Sequence, residues 1–170
     1  QWPYWNKQSL YFISTTAIGS KTYLKARFYY DQFKNKLSSF DDHTYTTQEK
    51  SYAFNSFYDD YTLGGNVELS SDLNNINTLK FSAHLKNDNH SERNEGEDAI
   101  QMADNTISFG LEDIYKPIEK LTFIPGVSYN LRQSLKAEYF NPTKNTNSEF
   151  PANTNDAFNA QLATYYRFSN

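Results

Sequence analysis

The chain has 170 residues and a formal net charge of -4, with a pI near 5.3. The length fits one domain, residues 1–170, and the acidic balance excludes the basic patch that a nucleic-acid partner needs. Cysteine is absent, which excludes a disulfide framework, thiol chemistry and any Cys-based metal site. Two further quantities pull against each other. Mean hydropathy is -0.80, a value suited to a very polar chain, yet aromatics make up 17%, with 14 Tyr and 13 Phe. A transmembrane β-barrel reconciles them, because half of each strand faces water and the interfaces take up Tyr and Phe. A soluble β-sandwich rich in tyrosine is the alternative. No apolar run of about 18 residues exists for a transmembrane helix, and Gln1 to Trp5 is aromatic, unlike a secretory leader.

The first expected strand, Lys7 to Ile18, is rich in Tyr, Phe, Ile and Thr but alternates poorly. Gly19-Ser20 then predicts a tight turn. Thr22 to Gln32 sets Leu24, Ala26, Phe28 and Tyr30 against Tyr23, Lys25, Arg27, Tyr29 and Asp31. A polar and aromatic connection follows from Phe33 to Asp60. The clearest hairpin runs from Tyr61 to Lys86. In it Leu63, Gly65, Val67 and Leu69, then Leu79, Phe81, Ala83 and Leu85, fall on every second position. That period of two marks a strand with one apolar and one polar face. Ser71 to Asn77 supplies its turn.

After the strongly polar Asn87–Asp104, the fifth strand, Asn105 to Tyr115, places Ile107, Phe109 and Leu111 on one face. Lys116–Lys120 is a short turn. The sixth, Leu121 to Arg132, puts Phe123, Pro125, Val127, Tyr129 and Leu131 on one face, with a bulge expected at Pro125, which lacks an amide hydrogen. A long connection, Gln133 to Asp156, leads to the seventh strand, Ala157 to Phe168, and a further turn is expected at Ser169-Asn170. Short connections thus alternate with long ones. In an up-and-down sheet this gathers the short turns at one end and the long loops at the other, as in outer-membrane barrels. The expected fold is all-β, an antiparallel up-and-down meander of about seven strands.

Leu121-Thr-Phe-Ile-Pro-Gly126-Val-Ser-Tyr129-Asn130 resembles a strand of TonB-dependent outer-membrane receptors, with Asn130 where Asp is commoner. Leu79-Lys-Phe-Ser-Ala-His-Leu-Lys-Asn-Asp-Asn and Phe158-Asn-Ala-Gln-Leu-Ala-Thr-Tyr-Tyr166-Arg-Phe-Ser are similar to other strands of those receptors. The resemblance implies roughly a third of a 22-stranded transmembrane β-barrel in the cell outer membrane. It also implies uptake of a scarce nutrient such as an iron chelate, a cobalamin or a glycan, driven by a TonB-type motor protein that pulls on a plug. No plug domain, TonB box or closing C-terminal strand is visible, so the chain reads as a piece of a longer protein. The alternatives are a passive porin-type barrel and a soluble, surface glycan-binding module.

In the barrel reading Lys25, Arg27, Glu68, Lys80, His84 and Arg132 face the lumen. Tyr45, Tyr52, Phe54, Phe57 and Tyr58 sit in an outer loop, where they stack on a ligand or form an interfacial girdle with Tyr61. His43, on a loop, His84, on a strand, and His90, on another loop, lack zinc-site spacing, so no metal and no cofactor is expected. Glu92, Glu95, Glu97 and Asp98, in the Asp88–Asp98 stretch, lack the order of a calcium loop and read as a solvated acidic loop. Asp41-Asp42 and Asp59-Asp60 do not form a catalytic pair, and no nucleophile elbow, phosphate loop or His-Glu-Xaa-Xaa-His is present. An enzyme is not expected.

Overall fold

The computed structural model describes residues 1–141, 143–144 and 146–168. The fold is all-β, with eight strands among the described residues: β1 (Tyr4–Ile18), β2 (Thr22–Ser39), β3 (Phe54–Asp72), β4 (Asn77–Asn94), β5 (Ile100–Ile118), β6 (Leu121–Asn141), β7 (Thr146–Glu149) and β8 (Thr154–Tyr166). Each strand from β1 to β6 pairs antiparallel with the next, and β7 and β8 both pair with β6. These last two are one strand position, interrupted. Glu149 lies opposite Glu138 and Thr154 opposite Gln133, so the register is the same on both sides of the break. Pro151 sits in the gap, where it can offer no amide to the ladder. The architecture is therefore a seven-position meander, and the turn expected at Ser169-Asn170 lies outside the described residues.

The strands outrun their sequence signal. β2 to β6 hold 18 to 21 residues each, and most of the three connections read as long loops is strand. What is left is a loop over residues 40–53, a tight connection over 95–99, and the link between β6 and β7. The added lengths mix polar with aromatic and apolar residues out of alternation, or, as in Asn87–Asn94, are polar throughout, so no period of two announces them. Backbone partners on both sides keep them in the sheet, with side-chain bonds such as Asn87 Nδ2 to Asn105 Oδ1 at 2.8 Å and Lys34 Nζ to Asp59 Oδ2 at 2.6 Å. At the short end Gly19, at φ +75°, opens a first turn over residues 19–21, and only residues 119–120 separate β5 from β6, fewer than the expected Lys116–Lys120.

Pro125 makes no bulge. Pairing runs in step from Glu112↔Gly126 to Tyr115↔Phe123, and the shifts fall instead beside Ala103/Asp104 and between Tyr115 and Ile118. The first of these leaves Leu135 as the extra residue on β6, the signature of a β-bulge.

Residues paired across neighbouring strands share a face. One face carries continuous apolar rows. Leu24, Leu69, Phe81, Leu111 and Val127 form one; Ala26, Val67, Ala83, Phe109, Tyr129 and Phe158 form the next; Phe12, Phe28, Gly65, Leu85, Ile107 and Leu131 form a third. Among the described residues nothing covers them: no hydrophobic side chain is buried, and the buried residues are Asn35, Ser38, Ser56 and Gly126. The accessible surface is 11791 Å², against about 8,600 Å² expected of a compact monomer of this mass. The molecule is a single layer. No pairing joins β1 to β8 among the described residues, so both edges of the sheet are open.

Candidate functional site

The second face is polar, and strand alternation builds it. Lys25, Arg27, Glu68, Lys80, His84 and Arg132 all stand on it, within the central rows of the register. They are woven together. Lys25 Nζ lies 3.3 Å from Glu68 and Lys80 Nζ 3.6 Å from Glu112. Arg132 donates to Asp104 at 2.7 Å, and Lys86 lies 2.7 Å from Asp88. The Arg27 guanidinium sits 5.4 Å from the centre of the Tyr29 ring, and the Tyr29 hydroxyl is 3.4 Å from His84 Nε2. A water-facing network of this kind fixes side-chain positions more than it adds stability, since exposed pairs are worth about 0–1 kcal/mol each.

Above that zone runs a row of carboxylates. Asp31, Asp88 and Asp104 lie at one level, and Asp60 is one row further from the short turns. Each has partners. Asp31 accepts from Ser9 and, at 2.9 Å, from the Tyr11 hydroxyl, and Thr62 donates to Asp88 at 2.7 Å. His90 belongs to β4 rather than to a loop. Its Nδ1 lies 2.6 Å from Asp60 and its Nε2 3.5 Å from Glu92. The three histidines stay apart, and no group of three or more His, Asp or Glu able to hold a metal occurs among the described residues.

The five loop aromatics are not gathered into one place. Tyr45 and Tyr52 lie in the 40–53 loop, whereas Phe54, Phe57 and Tyr58 belong to β3. Tyr58 is on the polar face. Phe57 is on the opposite one, between the Lys36 ammonium at 5.2 Å and the Arg93 guanidinium at 4.8 Å. Tyr61 lies on the apolar face against Tyr30, with ring centres 6.3 Å apart, at the level where that face turns from apolar to polar. Beside Tyr58 a polar recess of about 640 Å³ is lined by Gln48, Asn55, Glu92, Asn94 and Glu95 among others.

The 40–53 loop is organised by its first acids. Asp41 accepts from the backbone amides of Glu49 and Lys50, at 2.9 Å for each, and the Tyr52 hydroxyl donates to the Asp41 carbonyl at 2.8 Å. Asp42 accepts from the Thr44 hydroxyl at 2.6 Å and the Thr44 amide at 2.8 Å. The two backbone donors hold the Asp41 carboxyl below its ordinary range, and the Thr44 hydroxyl followed by its amide does the same for Asp42. The acids of 88–98 are dispersed: Asp88 and Glu92 are on β4, Glu95 accepts from Asn55 at 2.6 Å and Glu97 from Asn94 at 2.8 Å.

Sequence reasoning passed over Trp2, Trp5 and Asn35. On the polar face Trp5 lies opposite Asn35, and Asn35 opposite Tyr58, with Trp2 against both Trp5 and Tyr58. The available signal was that the chain's two tryptophans stand within four residues of each other. No protein-family model, no curated protein and no solved structure matches the chain.

Proposed function

We propose that this chain is a stretch of transmembrane β-barrel wall in an outer-membrane importer of the TonB-dependent receptor type. The observation that carries the reading is the division of the sheet: apolar rows run across β2 to β6 on one face, uncovered, behind a charged and hydrogen-bonded face. A sheet in water would place a layer over such rows; a bilayer supplies that layer itself. On β6 the apolar side runs from Leu121 to Leu131, which matches the 9–11 residues that cross the hydrocarbon at a tilt. The aromatic pairs Tyr30–Tyr61 and Tyr115–Phe123 stand at its two margins, as interfacial girdles do. The strands continue past the band as a polar wall, so the loop and rim at that end meet the outside.

In this reading Lys25, Arg27, Glu68, Lys80, His84 and Arg132 line the lumen, and the recess beside Tyr58 contributes to binding a scarce nutrient. A plug elsewhere in the protein, pulled by a TonB-type motor, drives passage inward. The test is the folding medium. The chain should adopt its β-structure as a dispersed species in detergent or lipid and associate without them. A monodisperse monomer that melts cooperatively in plain buffer would contradict the reading.

A further inference from the structure

The place on the polar face where Trp5, Asn35, Tyr58 and Glu92 stand in one row combines features that the rest of that face lacks. Trp2 bridges the row, its ring centre 5.3 Å from that of Trp5 and 6.5 Å from that of Tyr58. The Ser38 amide holds this segment by donating to the Gln1 carbonyl at 2.8 Å. Phe33 closes the side, 5.2 Å from Trp5. Between the rings Asn35 is only 4% exposed, and its Oδ1 has no donor. A buried amide oxygen without a partner is costly to keep. Trp5, by contrast, is 62% exposed.

We infer that Trp2, Trp5, Tyr58 and Asn35 form a recognition site for a protonated primary amine. The faces of Trp and Tyr rings attract a cation. An ammonium group brings three donors and no acceptor, so it can satisfy Asn35 Oδ1 and still address a carboxylate. The charges nearby fit. Glu92 shares the row, and Asp60 stands on the next one beside His90, with Lys7 at that level and the Gln1 ammonium already satisfied by the Ser38 carbonyl at 2.8 Å. The negative ring faces do not favour an anion, and an uncharged alcohol or sugar gains ring contact without the charge. Seating the ammonium requires a side-chain rotation of Trp2, with the backbone still held at Gln1 by Ser38. The site rests on the polar face alone and holds whether or not that face lines a transport path.

The chain's two tryptophans are both in the site, so their fluorescence reports occupancy in the detergent-folded protein. The probes are n-butylammonium, tetramethylammonium and n-butanol, which are respectively cation with donors, cation without donors and donor without charge. n-Butylammonium should change the emission saturably, and tetramethylammonium should bind roughly tenfold more weakly, the size of one hydrogen bond to a charged group. n-Butanol should have no effect. Asn35→Asp, which keeps the size and adds charge, should tighten n-butylammonium, and Glu92→Gln should weaken it. A flat titration with n-butylammonium, equal binding of n-butanol, or indifference to both substitutions would overturn the assignment.

Discussion

The phenol ring of Tyr29 lies across the backbone of Gly64, so close that a Cβ there would come within 2.5 Å of Tyr29 Cζ and Oη. On the other face of the sheet Phe28 lies over Gly65 in the same way, at 2.8 Å from Cδ1. Consecutive aromatics of β2 thus cover consecutive glycines of β3, one on each face. A bare glycine weakens a strand, and a ring from the neighbouring strand restores the missing packing. Gly64→Ala should displace Tyr29 from its place beside Tyr11 and His84 and destabilise the protein by about 1–3 kcal/mol. In a Tyr29→Ala background the same change should cost clearly less, since the ring clash is gone and only the Leu85 carbonyl, 3.0 Å from the added Cβ, stays tight. Equilibrium unfolding of the four proteins in detergent measures the coupling. Additive losses would mean that the ring does not rest on the glycine.

The 40–53 loop should depend on acid. The Asp41 carboxyl is held below its ordinary range by the Glu49 and Lys50 amides. Its contribution is therefore complete above the unfolded carboxylate value of about 3.9 and is lost as pH falls through the lower folded value. Hydrogen exchange at Glu49 and Lys50 should stay protected through mildly acidic pH and open below that range. Asp41→Ala should remove the protection at neutral pH. Unchanged protection in the variant would show that the loop is held by other contacts.

Topology gives a third expectation. Ser51 is exposed in the 40–53 loop, and Asn75 is exposed in the turn between β3 and β4, at the opposite end of the sheet. In intact cells Ser51→Cys should react with an impermeant maleimide and Asn75→Cys should not. Labelling of Asn75→Cys alone would invert the orientation, and equal labelling of both would remove the membrane between them.

The division of faces was legible because each side chain announces it: Leu24 beside Lys25, Phe81 beside Ser82, Leu131 beside Arg132. The ends of strands were not. Asn87 to Asn94 shows no apolar period, and only the backbone partners on both sides keep it extended. The same blindness turned Phe57 and Tyr58 into neighbours in a loop, although on a strand they point to opposite faces. The extra residue at Leu135 follows from the lengths of β5 and β6 relative to each other, which no single stretch records. Asn35 looked like one more polar residue until pairing set it between Trp5 and Tyr58.

The claim that the apolar face meets lipid is tested most directly at Phe81, which stacks with Phe109 at 6.4 Å and is 41% exposed. The measurement is the folding free energy in lipid vesicles of Phe81→Arg and Phe81→Leu against the parent. Arginine there must sit in hydrocarbon and should cost about 2–4 kcal/mol near the midplane. Leucine against fluid lipid leaves no cavity and should be near neutral apart from the lost ring pair, worth about 0.5–1.5 kcal/mol. A covered core would also punish arginine and would lose on the order of 1 kcal/mol or more to leucine beyond the lost ring pair, and a water-exposed face would tolerate arginine as readily as leucine. Costly Arg with mild Leu is the predicted result; a large loss from Leu, or none from Arg, would contradict the account.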